Sequence, residues 1–396
     1  PASLDTLIQY ALANNSEIQA LRNYARALNE RAPQEISLPD PQLLTTSFLQ
    51  GIQTAAGPQE FSLSLAQKFP WFGKRAARAN RAEQQAYAAY ARVCAKELEV
   101  IEQVKLTYYE YYLAESSAEE LRKLKAPLQD IIEISKVRYE TNASKTGLES
   151  LLQAEVQLSQ LDTSLIRYEQ LAVQQRAKLH GLLHIPVENP IVPDTNIRRT
   201  DVDQSVDNLV QLSMQFQPEL KARQYEVMRD QYSATLARKE YYPDVTLGAS
   251  WVAIGDRGIS PVADGRDAAM VSVGVNLPIY QDRLEAGVRQ ACYEIAASNR
   301  RYAAEQDRLE AQIQALNAQY VENDRILVIL EKRIVPLAEK TLGLGIESYR
   351  TGTQDFQQLI DNYRSLLDYR IEVHKRLSLR QQAIASLERQ VGPQVT

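Results

Sequence analysis

The hydrophobic pattern of the chain switches between two periods. Over residues 4–31 apolar side chains recur three and four positions apart, which predicts an amphipathic helix. After Pro39 the period falls to two, so that apolar residues alternate with small or polar ones. This alternation predicts four strands of about ten residues each, at 41–50, 60–69, 244–254 and 269–278.

The predicted strands have one apolar face and one small or polar face. Their length and alternation are typical of transmembrane β-strands. A half-buried sheet in a soluble domain, with its polar face toward water, has the same pattern. The strands alone leave both interpretations open.

Two very long helices are predicted, over about 74–141 and about 283–351. The strongest breaker inside each is one proline, Pro127 or Pro336. Each helix of roughly 68 residues would span about 100 Å at 1.5 Å per residue, whereas the average globular helix has about 11–12 residues.

Apolar residues in the second long helix keep a heptad spacing, and the returning helices at 146–184 and 354–390 carry a similar signal. A repeat of 3.5 residues held over this length predicts coiled-coil packing. The ladder consists of Val288, Cys292, Ile295, Tyr302, Leu309, Ile313, Leu316, Tyr320, Leu327, Leu330, Ile334 and Leu337. Cys94 and Cys292 fall at apolar positions of helical patterns, so both are expected in a helix seam.

The chain repeats its own plan. Leu4-Asp5-Thr6-Leu7-Ile8-Gln9 is matched 202 positions later by Val206-Asp207-Asn208-Leu209-Val210-Gln211. We interpret residues 1–200 and 201–396 as tandem repeats. The first has a helix, a hairpin at 41–69, a long helix at 74–141 and a returning helix at 146–184. The second has a helix at 206–240, a hairpin at 244–278, a long helix at 283–351 and a returning helix at 354–390.

Composition excludes several classes of function. The 45 basic and 50 acidic residues are interspersed along the chain, so no basic face for nucleic acid stands out. With 3 His, 3 Met and 2 Cys, and with no Ser/His/Asp or Cys/His arrangement at useful spacing, we expect no enzyme, no metal site and no cofactor. The chain opens at Pro1 directly into a helical pattern, as a mature or trimmed form would.

Four membrane strands cannot close a barrel, because the smallest bacterial barrels use eight. Open strand edges in lipid leave backbone groups unpaired, at several kcal/mol each. If the strands span a membrane, the chain must therefore oligomerise. Three copies would supply about twelve strands and as many helical columns.

Two motifs on this duplicated frame carry a resemblance to a known family. The first is Phe69-Pro70-Trp71-Phe72-Gly73-Lys74-Arg75, with its counterpart Leu277-Pro278-Ile279-Tyr280. The second is Tyr349-Arg350-Thr351-Gly352-Thr353. Over nearly its whole length the chain resembles the TolC-type outer membrane efflux proteins. The resemblance implies an α+β membrane protein: a homotrimer with a 12-stranded outer membrane β-barrel and an α-barrel of long coiled-coil helices.

The resemblance also implies a function and its partners. It implies a passive exit duct of a tripartite efflux or secretion system in the outer membrane of a Gram-negative bacterium, with most of the chain in the periplasm. Its tip would dock a periplasmic adaptor protein and an inner-membrane pump such as one of the RND type, while outer membrane lipid surrounds the barrel. The alternative is a soluble periplasmic coiled-coil adaptor or scaffold. Metals, drugs and peptides all stay open as substrates.

The resemblance places a gate and its turns at the ends of the long helices. It assigns the two tip turns, which contact the adaptor, to Tyr139, Thr141, Asn142, Tyr349, Thr351, Gly352 and Thr353. Gly352 permits a left-handed turn, and Asn142 is the residue next most able to do so.

The pore gate is assigned to Gln354, Asp355, Gln358 and Asp361. Gln354 stands where the family has an arginine, and Asp361 matches an acidic ring that would attract cations. Asp361 could instead be a solvated helix residue, and Asp355 an N-terminal helix residue that complements the dipole.

Aromatic residues at the strand ends are candidates for the membrane interface: Phe69, Trp71, Phe72 and Tyr280. Trp71 could belong to an aromatic girdle or could pack at the corner between strand and helix. Lys68, Lys74 and Arg75 would mark the periplasmic rim of the barrel.

Overall fold

The structure is a computed structural model that describes residues 3–142, 145–186, 191–194, 197, 199–256, 258–259 and 261–392, without the side chains of 142–146. The predicted fold class, long helices with a small antiparallel sheet, is confirmed. Within the described ranges, no helix has both the length and the apolar character needed to cross a membrane.

Ten α-helices, one π-helical turn and five strands follow one another in the described chain. In order they are α1 (Leu4–Asn14), α2 (Ser16–Asn29), α3 (Arg31–Ile36), β1 (Gln42–Ser47), β2 (Gln53–Thr54), β3 (Gly57–Phe69), α4 (Lys74–Asn142), α5 (Lys145–Leu183), α6 (Val206–Phe216), α7 (Pro218–Lys239), β4 (Val245–Ile254), β5 (Ala268–Val275), α8 (Gln281–Ile329), the π turn (Leu330–Ile334), α9 (Val335–Thr351) and α10 (Phe356–Val391).

The chain divides into two compact units. A helical unit comprises Pro1–Ala20, Cys94–Gln217 and Gln306–Thr396, and a sheet unit comprises Leu21–Val93 and Pro218–Glu305. Each unit draws on both halves of the sequence. The duplication into 1–200 and 201–396 stays a prediction about how the sequence is built.

All strands lie in the sheet unit, in the order β1-β3-β4-β5, with β2 paired to β3. Every pairing is antiparallel. The central pair, β3 with β4, joins the hairpin of the first half to that of the second. Among the described residues, β1 and β5 are the two edge strands.

One face of this sheet is apolar and exposed. Cross-strand pairs such as Leu63 with Trp251 and Leu65 with Ala249 lie on it, and so does Val271, which is 85% exposed. An apolar face of this size is a surface that something other than water must cover. Further exposed side chains of this face are Leu247, Val273 and Val275.

The corner where β3 leaves the sheet is built around a buried ion pair. The Lys74 ammonium lies 2.8 Å from Asp244 Oδ1 and donates to the Tyr242 carbonyl oxygen at 3.0 Å. The backbone N–H of Trp71 donates to the same Asp244 oxygen at 3.0 Å, and Lys68 lies 3.1 Å from the other oxygen. Lys74 is therefore a buried structural residue of this corner, and its place at the periplasmic rim of a barrel stays a prediction.

Asp244 stays charged in this corner. Burial alone would raise its pKa, but the hydrogen bonds from Lys74, from the Trp71 N–H and from Lys68 outweigh burial and lower the pKa to about 2. Because the pKa of Asp244 is lower in the folded state, its interactions contribute their full stabilisation above the unfolded pKa of 3.8. The folded state loses this stabilisation as the pH falls toward 2.

Three predicted helices are interrupted. The one predicted over 206–240 ends at Phe216 and restarts at Pro218, because the residue before a proline is pushed out of the helical region. In the first half the break falls at Asn15, whose side-chain oxygen accepts from the Glu17 and Ile18 N–H groups and so starts α2. The helix over 283–351 contains the π turn just before Pro336, which has no N–H to donate.

The heptad ladder predicts only part of the buried face of α8. Leu309, Ile313, Tyr320 and Leu327 are buried as predicted. Toward the start of α8 the buried residues are instead Leu284, Ala291, Ser298 and Glu305, so the seam there is displaced from the predicted one. The prediction that both cysteines lie in a seam is wrong, because Cys94 and Cys292 are both exposed.

Arg380 is the largest fully buried side chain of the helical unit, at 1% exposure. Its guanidinium donates to Asp324 Oδ1 at 2.7 Å, to the Thr200 carbonyl at 2.8 Å and to Asp201. It also lies 5.0 Å from the centre of the Tyr320 ring. A planar fork of donors satisfies several acceptors at once, so this arginine ties the segment at 200–201 to α8 and α10.

Arg380→Lys is predicted to destabilise the folded chain by about 1–3 kcal/mol, because one ammonium cannot replace the separate donors of the guanidinium. The exposed Arg350, which pairs with Glu347, provides the control Arg350→Lys. Thermal unfolding in detergent, followed by circular dichroism, measures both. Equal midpoints for the two variants would contradict the role given to Arg380.

Asp244→Asn is predicted to destabilise the sheet unit by about 3 kcal/mol at neutral pH, because it leaves Lys74 buried beside a neutral group. The difference from wild type should shrink as the pH is lowered toward about 2, where Asp244 itself becomes protonated. The exposed Asp40 supplies the control Asp40→Asn. A destabilisation that is independent of pH would rule out the ion pair as its cause.

Candidate functional site

The turn between α9 and α10 depends on Gly352. Its φ of 83° lies in the left-handed region that favours glycine, and its N–H donates to the Ser348 and Tyr349 carbonyl oxygens. The N–H and the hydroxyl of Thr353 both donate to the Ser348 carbonyl, at 2.9 and 3.1 Å. Thr351 donates its hydroxyl to the same oxygen at 3.1 Å. The second predicted tip turn is thus a tightly hydrogen-bonded helix end.

Tyr349 anchors this turn to α4. Its buried hydroxyl lies 3.1 Å from Ser135 Oγ, and its ring centre lies 5.8 Å from that of Phe356. Arg138 donates to the Tyr349 carbonyl oxygen at 3.0 Å and lies 4.6 Å from the centre of the Tyr349 ring. We call Arg138, Ser135 and Tyr349 the tip clamp, because they hold the end of α9 against α4.

Sequence reasoning missed Arg138 and Ser135. One signal was present, since Arg138 lies in the last two turns of α4, where a cation can hydrogen-bond to carbonyl oxygens at a helix end. The sequence could not show that the oxygen in question belongs to a residue 211 positions away.

Below the clamp, α4, α5, α9 and α10 share one apolar core, and Tyr363 donates its hydroxyl to the Leu124 carbonyl at 2.9 Å. Its buried residues are Leu121, Leu124, Leu128, Ile131, Ala154, Leu161, Leu342, Tyr349, Phe356, Leu359, Ile360, Tyr363 and Leu366.

The first tip turn is only partly visible. Tyr139 is half-buried, and the Thr141 hydroxyl donates to the Val137 carbonyl at 2.8 Å. Asn142 is the last helical residue of α4, and the two residues after it lie outside the described part of the chain. A left-handed turn at Asn142 therefore stays a prediction.

The four residues assigned to a gate have different surroundings in the structure. Asp355 accepts the Gln357 N–H at 3.1 Å and caps α10, which favours the helix-terminal role considered for it in the sequence. The amide of Gln354 covers Gly345 on α9. Gln358 and Asp361 are both exposed and lie three positions apart, on one face of α10.

Asp361 is exposed to solvent, as Asp355 is, but it does not cap the helix. Its side chain is 58% exposed, accepts from Gln357 Nε2 at 3.1 Å and lies 3.8 Å from Arg364. Arg364 in turn donates to Gln157 on α5 at 2.6 Å. The negative charge of Asp361 is therefore only partly offset by its neighbours.

An open groove of about 510 Å³ lies between α5 and α10 on the helical unit. Exposed apolar side chains of α5, among them Leu152 and Val156, form one wall, and Gln357, Ile360 and Arg364 form the other. A mostly apolar groove with a few polar groups is suited to binding a helix of another protein.

The aromatic residues at the strand ends differ in their surroundings. Trp71 stacks on Tyr242 with ring centres 5.4 Å apart and an angle of 8°, so in this chain it packs at the corner between strand and helix. Phe72 and Tyr280 are 85% and 71% exposed, as residues at a lipid interface would be, and Phe69 is also exposed. In the described part of the chain, no three His, Cys, Asp or Glu side chains are grouped to hold a metal ion.

Comparison with protein families gives one match: residues 209–393 fit the family described as outer membrane efflux protein. No curated protein sequence matches the chain significantly.

Solved structures match the chain over nearly its whole length. A membrane protein from Pseudomonas aeruginosa has a TM-score of 0.84 and 18% identity, and the match covers 99% of this chain and 90% of that one. For the outer membrane protein VceC of Vibrio cholerae the TM-score is 0.81 at 18% identity, over 98% of this chain and 96% of that one. For the open state of the MtrE outer membrane channel of Neisseria gonorrhoeae the TM-score is 0.79 at 16% identity, over 98% and 88%.

These matches agree with the geometry described above. The family model covers the segment that holds the second hairpin, the π turn and the tip clamp's Tyr349. The shared fold extends over the first half as well. Residues 209–393 are thus similar to the outer membrane efflux protein family, and the whole chain shares the fold of solved outer membrane channel structures.

Proposed function

We propose that the chain is the outer membrane exit duct of a tripartite efflux system, a passive conduit that is gated at its tip. The observation that carries the proposal is the sheet, whose apolar face is exposed and whose strands lead into helices of 69 and 49 residues. A soluble adaptor, the alternative considered from the sequence, would leave that face in water. Members of the family are channels, which agrees with a conduit that performs no chemistry.

Closure of the membrane part requires further copies of the chain. The four strands β1, β3, β4 and β5 contribute an apolar outer face but leave β1 and β5 as edges. Since a spanning sheet cannot keep open edges, we infer a homotrimer with a 12-stranded barrel. Phe69, Phe72 and Tyr280 would contact outer membrane lipid near the periplasmic side, where the strands give way to helices.

The cellular location proposed for each unit follows from its surface. The sheet unit contains the apolar face and would lie in the outer membrane of a Gram-negative bacterium. The helical unit, whose surface carries many ion pairs, would lie in the periplasm. Most of the chain would then be periplasmic, as the resemblance implies.

The tip would be the gate. In the proposed trimer three copies of Asp361 and Gln358 ring the pore, and the carboxylates favour cations there. The tip clamp holds α9 against α4 in the state described. Opening would require these helices to move apart, which breaks the contacts of Arg138 with Tyr349.

Energy for transport would come from partners. The groove between α5 and α10, together with the tip turns, offers a surface on which a periplasmic adaptor's helices could dock. The adaptor would connect the duct to an inner-membrane pump, such as one of the RND type. The substrate is set by that pump, and the scarcity of His, Met and Cys argues against a soft-metal relay within the duct.

Single-channel recording in a planar bilayer tests the proposed function. Purified protein added from detergent should produce small, discrete current steps that prefer cations. A preparation that inserts into the bilayer but never conducts, even after variants that loosen the tip, would contradict the duct.

Asp361→Asn should shift the cation-to-anion permeability ratio toward unity, because three negative charges leave the narrowest part of the pore. Asp130, an exposed carboxylate of α4 at a similar number of residues from the tip, gives the control Asp130→Asn. Reversal potentials measured under a salt gradient compare the two. Unchanged selectivity in Asp361→Asn would place the selective ring elsewhere.

Arg138→Ala should favour the open tip by about 1.5–3 kcal/mol, because a charge-assisted hydrogen bond and a cation–π contact are lost. That corresponds to about a ten- to hundredfold rise in the equilibrium constant for opening. Open probability in the bilayer measures it, with Arg350→Ala as the exposed control at the same tip. Equal open probabilities for the two variants would mean that the clamp does not hold the gate.

A further inference from the structure

The two hairpins of the sheet have the same register. In the first, Leu43 pairs with Leu65, and in the second, Leu247 pairs with Val273. Leu247 lies 204 positions after Leu43 in the chain, and Val273 lies 208 positions after Leu65. Adding 204 to each β1 residue number and 208 to each β3 residue number turns every pair of β1 with β3 into a pair of β4 with β5. This holds from Gln42↔Ala66 to Ser47↔Phe61.

The pairing of β3 with β4 shows how one hairpin joins the next. At its centre Leu65 lies opposite Ala249. The residue 208 positions after Leu65 is Val273 on β5, and the residue 204 positions before Ala249 is Thr45 on β1. Val273 and Thr45 lie on the two outer edges of the sheet, so this pair can form only between two copies of the chain.

We infer that β5 of each copy pairs with β1 of the next in one defined antiparallel register, with Val273 opposite Thr45. The inference rests on the proposed trimeric duct and adds to it the residue pairs of the seam. Successive antiparallel pairings along the sheet leave β1 and β5 running in opposite directions, as this seam requires. The pairs are Asn276↔Gln42, Val275↔Leu43, Gly274↔Leu44, Val273↔Thr45, Ser272↔Thr46 and Val271↔Ser47.

Side chains on both edges agree with this register. Val275 and Leu43 are exposed apolar residues, and the seam would place them side by side on the apolar face. Gly274 would lie opposite the exposed Leu44. A Cβ on Gly274 would meet its nearest neighbour in its own chain only at 3.8 Å, so this chain has room for a side chain there. In the seam, the missing side chain leaves space for Leu44.

Other registers fit less well. A slip of one residue would turn the apolar face of β5 against the polar face of β1. A slip of two residues keeps the faces but takes Leu44 away from Gly274 and sets it against Ser272 or Asn276. The proposed register is therefore the one that repeats the internal pairing and also matches large with small.

The strand register would be repeated at the seam, but the ion pair of Lys74 with Asp244 has no counterpart there. The residue 208 positions after Lys74 is Asp282, and the residue 204 positions before Asp244 is Asp40. A lysine–aspartate pair equivalent to Lys74–Asp244 is thus absent from these positions. The seam would be held by strand pairing and by its apolar face.

Disulfide trapping tests the register. In a background of Cys94→Ser and Cys292→Ser, which removes the two exposed native thiols, Thr45→Cys is combined with Val273→Cys. Disulfides require Cβ atoms about 3.5–4.5 Å apart. Directly opposed strand residues, at about 4.5–5.5 Å, come within reach of this distance after a small adjustment, whereas diagonal ones, at about 7–8 Å, do not. Oxidation of the detergent-solubilised protein with copper–phenanthroline should give covalent dimers and trimers on a non-reducing gel.

Matched variants separate the possible outcomes. Leu65→Cys with Ala249→Cys is the internal equivalent and should form a disulfide within one chain. Thr45→Cys with Val275→Cys reports a slip of two residues. If Thr45→Cys is trapped with Val275→Cys and not with Val273→Cys, the proposed register is wrong. It is also wrong if a conducting trimer forms and neither pair is trapped. Both results would leave the proposed duct intact. If the internal control forms but the protein neither assembles nor conducts, the proposed function fails together with the seam.

Discussion

Backbone hydrogen bonding at the sheet edges is the constraint on which the account depends. An antiparallel sheet that ends in β1 on one side and β5 on the other presents unpaired N–H and C=O groups, each costly in lipid. Its apolar face, in turn, is costly in water. Both costs are removed together if copies of the chain close the sheet within a bilayer. The number of copies that closes the barrel also fixes how many long helices follow from its strands.

Two polar clusters then perform different tasks. At the corner of the sheet, the pair of Lys74 with Asp244 is buried, so it is stable only while each charge keeps its partner, and this makes the strand-to-helix connection stiff. At the tip, Arg138 and Tyr349 form a contact that is half-buried and involves few groups. A contact of this strength can hold a gate closed and still yield when a partner protein binds.

Sequence patterns predicted the parts of the fold that local periodicity controls. The strands carry a strict period of two, and the long helices lack breakers, so both could be placed within a few residues. The breaks at Asn15 and Gln217 were missed because a single capping side chain or a following proline ends a helix without disturbing its periodicity. The burial of Lys74 and the contact of Arg138 with Tyr349 join residues more than 160 positions apart, and no local pattern contains that information.

The most direct test of the central claim is the protein mass of the detergent-solubilised assembly, measured by light scattering with the detergent contribution subtracted. We predict three chains of 44.8 kDa in one micelle, and aggregation or loss of the protein when detergent is removed. A monodisperse single chain that remains in solution without detergent would contradict the account, because the apolar face and both strand edges would then be stable in water.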